Sequence, residues 1–173
     1  MYIMMTTNIF HASHTRDAGE AGFVSINDKQ CWSESLSSRE GSEQCGRSNN
    51  AWENENLIHV HCQAQSVGDK LMVRVHTNLD GHASDESYAI DNVVVTKLVT
   101  SIKSEFNTQD DFEGWNCGKI TSCGKYGNVC GGHNVKGKRN QIVQTFKVAK
   151  GMYSVALDFV RIDAWYVSGW RWS

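Results

Sequence analysis

Three carboxylates fall close together in the run Asp85-Glu86-Ser87-Tyr88-Ala89-Ile90-Asp91. Carboxylate oxygens are ligands that Ca2+ prefers, and the ion takes roughly six to eight oxygens, backbone carbonyls included. Asp91 stands inside an otherwise apolar strand, where a lone charge is costly unless a cation or a hydrogen-bonded backbone corner receives it. Glu113 could join Asp85, Glu86 and Asp91 as a fourth metal ligand, with Asp110 and Asp111 near it in sequence. The competing reading is a solvated turn at Asp85 and Glu86, with Asp91 capping a corner. No EF-hand spacing is present.

Other residue sets suggest other chemistry. His59 and His61 share one face of a strand, and His76 lies on the next strand in sequence. Such a set could hold a transition metal, which defines an alternative function: a jelly-roll metalloenzyme of cupin type using His59, His61 and His76. That pattern wants a Glu shortly after the second histidine, and Gln63 and Gln65 stand there instead. For glycoside hydrolysis, the best available acid pair is Glu113 with Asp163, although Asp163 is more simply a turn-forming acid after a strand. Trp32, Trp52, Trp115 and Trp165 could stack on sugars, with Trp52 and Trp115 as the ligand-binding candidates; buried tryptophans are more often core. Gly-x-Ser-x-Gly, P-loop and dinucleotide fingerprints are absent from the sequence.

These residues sit in a chain of 173 residues, the size of one ordinary domain. Net charge is −2 and there is no basic block, so nucleic acid is not an expected partner. No apolar run approaches the roughly 20 residues of a membrane helix. Six cysteines, without a Cys-x2-Cys pair, favour up to three disulfides and an extracellular or cell-surface setting over a zinc site. The amino-terminal Met1 to Asn8 has neither a basic region nor a continuous apolar core, and does not read as a signal peptide.

The elements that would position the carboxylates read as strands. Tyr2 to Phe10, Gly22 to Asn27, a segment resuming at Cys31, Leu57 to Gln63, Leu71 to Thr77 and the closing run to Val95 have extended patterns. Asn27-Asp28 offers hairpin chemistry. Residues 33–56 read as a long loop pinned at Cys45, and Val99 to Glu105 as a short connector. Gln141 to Val148 and Met152 to Ile162 form a predicted hairpin, apolar on both faces as in strands at the centre of a sandwich. No helix is expected. Short strands between turn clusters predict an all-β sandwich.

The run Asp85 to Val93 resembles the closing strand of galactose-binding-like jelly-roll modules of large extracellular and surface proteins. Phe112-Glu113-Gly114-Trp115, Cys123-Gly124, Gly131-Gly132-His133-Asn134 and Ile162-Asp163-Ala164-Trp165 are similar to the opening half of such modules. Val24 to Trp32, Cys45-Gly46 and the closing strand are similar to the second half, so the halves stand in reversed order. Residues 1–98 would then be the second half of a module, 99–105 a linker and 106–173 the first half, together one sandwich. The chain is either a circular permutant or a slice of a tandem array. The poorly patterned ends, with Trp170 and Trp172, favour the slice. The resemblance implies a jelly-roll-type antiparallel β-sandwich, permuted or made of two half-modules. It also implies a non-catalytic, calcium-binding protein of adhesion, carbohydrate binding or surface assembly. Its expected partners are a carbohydrate or another surface protein, with self-association by exchange of strands or half-modules.

Overall fold

A computed structural model describes residues 19–36, 40–46, 54–97, 100–108 and 112–165. Ten strands form two antiparallel sheets packed face to face, an all-β sandwich. The smaller sheet has the order β2-β1-β4-β9, from β1 (Ala21–Ile26), β2 (Lys29–Ser35), β4 (Lys70–Thr77) and β9 (Gln141–Lys147). The larger sheet has the order β3-β10-β5-β8-β7, from β3 (Asn56–Ser66), β5 (Glu86–Lys97), β7 (Ile120–Ser122), β8 (Asn128–Gly131) and β10 (Gly151–Asp163). β6 (Thr100–Ser104) lies along β5 beyond β8: Val95 pairs with Ile102, and Ala89 with Gly131. The predicted strand Tyr2 to Phe10 and the terminal Trp170 and Trp172 lie outside the described residues.

Local chemistry explains the corners. Asn27 and Asp28 take φ values of 49° and 63°, the left-handed pair that a two-residue hairpin requires. The segment expected to be a connector, Val99 to Glu105, contains β6, whose exposed residues give no alternating signal to read. The predicted hairpin does not form, because its strands lie in different sheets: β9 is the edge of the smaller one, and β10 is central in the larger, paired with β3 on one side and β5 on the other. Segments before and after residue 99 thus share both sheets.

Alternation along the strands supplies the core. Val24, Val73, Val75 and Ile142 from the smaller sheet meet Tyr88, Ile90, Val155, Leu157 and Phe159 from the larger. The Phe159 ring lies 5.4 Å from Trp32, 5.8 Å from Tyr88 and 6.0 Å from Trp165, centroid to centroid. On the opposite face of the larger sheet, Ala89, Val160 and Ile162 form a second apolar cluster with Cys123 and Val129, covered by Cys45, Leu57 and Tyr126. All six cysteines are paired, as Cys31–Cys62, Cys45–Cys123 and Cys117–Cys130. The first ties β2 to β3, and so one sheet to the other. The second pins the loop at Cys45 to a single 3-10 turn, Gly124–Tyr126.

Candidate functional site

β1 and β4 run side by side, with Gly22 opposite Thr77, so the start of β1 lies beside the loop that leaves β4. Asn78 fastens the two: its Oδ1 accepts the Ala21 N–H at 2.6 Å, and its Nδ2 donates to the Gly19 carbonyl at 3.3 Å. The chain then turns through Asp80 and Gly81 into a tight turn, where the Asp85 and Glu86 N–H groups both donate to the His82 carbonyl. This geometry carries Glu86 back over the turn, and the Gly81 N–H donates to its Oε2 at 2.6 Å.

The result is a cluster of three carboxylates. Oxygens of Glu20, Asp80 and Glu86 lie within 4.8 Å of one another. Glu20 and Glu86 are buried and Asp80 is exposed. Burial raises the pKa of Glu86, and the charges of Asp80 and Asp85 push the same way; hydrogen bonds from Gly81 and Glu20 oppose it. Carboxylates at this spacing repel when ionised. They are relieved either by sharing a proton or by a hard cation that takes an oxygen from each.

Beside Asp80 opens a cleft of about 500 Å3, lined by Asp80, Gly81, His82 and Ala83 on one side and Lys138, Arg139 and Asn140 on the other. Lys138 Nζ donates to the Asp80 carbonyl at 2.6 Å and so closes one corner of this cleft.

Of the metal ligands expected from sequence, only Glu86 belongs to the cluster. Asp85 is in the same turn, where its carbonyl accepts the Ala164 N–H at 3.1 Å. Asp91 points from the middle of β5 onto the outer face of the larger sheet, in one row with Asp158 of β10 and His59 of β3. Its Oδ1 is buried and has no hydrogen-bond partner among the described residues, and burial followed by the charges of Asp158 and Glu105 pushes its pKa up to about 6, against the Asn92 N–H. Glu113 is exposed, and its carbonyl accepts from Gln144 of β9. Among the described residues, no three of Asp85, Glu86, Asp91 and Glu113 bring ligand atoms within 4.8 Å of one another. The pairing of Asp91 with β10 explains the separation: it sets this residue mid-sheet, away from the start of β5 where Glu86 stands.

The histidines are divided too. His59 Nδ1 meets Asp158 Oδ1 at 2.5 Å and His61 Nε2 meets Ser154 Oγ at 2.6 Å, both on the larger sheet. His76 belongs to the smaller sheet and stacks on Phe23, because the chain crosses between sheets in the turn from β3 to β4. The proposed sugar platform fails at Trp115, which is 5% exposed and lies edge-on to Phe106 and Phe146 in the core. Trp52 lies outside the described residues. Asp163, the other half of the acid pair with Glu113, is fully buried: its Oδ2 is 2.6 Å from His133 Nδ1.

Glu20 and Asp80 were not legible as ligands. Each reads in sequence as a turn acid, and 60 residues of chain separate them. The only hint was local: Asp80 and Glu86 flank one Gly-containing turn. Comparison of the chain with protein families, with curated proteins and with solved structures finds no match.

Proposed function

We propose that the protein is a non-catalytic, extracellular binding or assembly module whose sandwich is stabilised by one Ca2+ ion held by Glu20, Asp80 and Glu86. The observation that carries this reading is the convergence of three carboxylates, two of them buried, from the approach to β1, the β4–β5 loop and the first residue of β5. An ion there would tie the start of β1 to the β4–β5 loop and relieve the repulsion among the acids. Three disulfides fit a protein that works in an oxidising compartment. The cleft beside Asp80, with Asp80, His82, Lys138, Arg139 and Asn140 among apolar lining atoms, offers both hydrogen-bonding groups and apolar surface, as a carbohydrate requires.

Calorimetric titration of the metal-free protein with Ca2+ tests the reading. One equivalent should bind, and Glu86→Gln should remove the binding. A protein that takes up no Ca2+ in the titration, or a Glu86→Gln variant that binds as the parent does, overturns the ion site.

A further inference from the structure

The three carboxylates occupy one end of the sandwich; the opposite end has a different chemistry. There the β3–β4 turn and the β9–β10 turn come together beside the paired residues Lys97 and Thr100 of β5 and β6. Ser66 pairs with Gly151, the Val148 N–H donates to the Asp69 carbonyl at 2.8 Å, and Lys97 Nζ donates to the Lys150 carbonyl at 2.8 Å.

Among the described residues, the exposed large apolar side chains are Val67 at 78%, Met152 at 59% and Ile102 at 43%. Val67 belongs to the first of these turns, Met152 follows the second at the start of β10, and Ile102 lies in the middle of β6, opposite Val95. Such residues scattered singly need no explanation, but all of them gathered at one end do. Four lysines stand among them: Lys70 and Lys147, paired across β4 and β9, with Lys97 and Lys150. Asp69 is the one acid within these turns. Between the paired β5 and β6 and the β9–β10 turn lies a groove of about 480 Å3, floored by Val95, Val148 and Tyr153 and walled by Lys97 and Lys147.

The geometry points to a docking surface for an anionic lipid bilayer at this end of the molecule. Apolar side chains on one turn and on two neighbouring strands, with lysines among them, match the boundary between acyl chains and anionic headgroups. The apolar tips enter the boundary, and the ammonium groups meet phosphate and carboxylate above it. A protein partner of ordinary affinity needs about 800 Å2 of complementary surface on each side, which three separate side chains do not supply. The charge of the surface selects anionic over zwitterionic lipid.

Flotation with lipid vesicles tests this in the presence of a chelator, so that the outcome does not depend on the calcium site. The protein should float with vesicles of phosphatidylcholine mixed with phosphatidylserine and not with phosphatidylcholine alone, and added salt should weaken the binding. Lys147→Gln with Lys150→Gln should lower partitioning roughly thirtyfold. Val67→Ser with Met152→Ser should also release the protein from vesicles; both residues are exposed, so the melting temperature should not change. Lys138→Gln with Arg139→Gln, at the opposite end, should leave binding intact. Absence of binding to the mixed vesicles overturns the proposal. So does equal loss from the opposite-end variant, or binding to soluble polyglutamate that competes with vesicles and ignores the Val67 and Met152 substitutions.

Discussion

The buried carboxylate of Glu55 holds the loop of Cys45 from beneath, its Oε2 accepting the Cys45 N–H at 3.1 Å. The same oxygen accepts the Gln44 N–H, while Oε1 faces the Asp163 N–H at 3.4 Å. The fully buried Arg161, whose pKa burial pushes down to about 10, is kept charged chiefly by Glu55 and Glu40. Gly46 completes the arrangement, since a Cβ there would collide with the carboxylates of Asp163 and Glu55. Glu55→Ala leaves three backbone donors without this acceptor and takes the largest balancing charge from a buried guanidinium, and should cost about 3–5 kcal/mol. Urea unfolding measures the loss, and reduction of Cys45–Cys123 by dithiothreitol should accelerate in the variant.

Calcium should raise the melting temperature. Binding to the native state alone adds RT ln(1 + [L]/Kd), about 2.7 kcal/mol at a hundredfold excess over Kd. In a chain of this length that is a shift on the order of 5–10 °C. Glu86→Gln should abolish the shift, whereas Asp91→Ala and Glu113→Ala should leave it, because neither residue belongs to the cluster. Differential scanning calorimetry with and without Ca2+ distinguishes these outcomes.

How much of this was visible in the sequence depends on distance along the chain. The β-branched run Val93-Val94-Val95 and the Asn27-Asp28 corner are local signals, and both lie where the pattern put them, in β5 and in the β1–β2 turn. The buried charge at Asp91 was equally legible. Its neighbour was not: Asp158 meets it only because β10 enters the sheet beside β5. Glu20 joins Glu86 for a similar reason, through pairing of β1 with β4 and the clamp at Asn78. β7 and β8, short and rich in glycine around them, carry too few residues to show a period.

Asp91 gives a pH dependence with a defined sign. Its pKa rises from an ordinary 3.8 to about 6 on folding, so the folded state holds this proton more tightly than the unfolded state. The stability it contributes is complete below 3.8 and is lost as pH rises through about 6. Asp91→Asn, which mimics the protonated group, should flatten the fall over this range and be the more stable protein near neutral pH. Urea midpoints measured across the range in the presence of a chelator decide it; parallel profiles for parent and variant would refute the assignment.

Removal of the bridge between sheets should be costly. Cys31 and Cys62 close a loop with a sequence separation of 31 residues. Loop-closure entropy for that span predicts a loss of about 4 kcal/mol in the double serine variant. Denaturant unfolding of the variant against the oxidised parent measures it, and a loss below about 1 kcal/mol would mean that β2 and β3 are held by packing instead.

The position of β10 between β3 and β5 has a consequence for the newborn chain. As synthesis proceeds, β3 and β5 emerge with a gap between them that only β10, about 55 residues later than the end of β5, can fill. Until then two strand edges of the larger sheet stay bare and the apolar faces of Tyr88, Ile90 and Val95 have no complete cover. Completion of the larger sheet therefore waits for the late strand, and its non-local pairings place folding among the slower β topologies. Cys31 and Cys62 are both present well before β10 and can cross-link early, whereas Cys45 must wait for Cys123. A cell making this protein has to shield those edges during that interval, and a chain stalled before residue 151 carries an open slot that the matching strand of another copy fits.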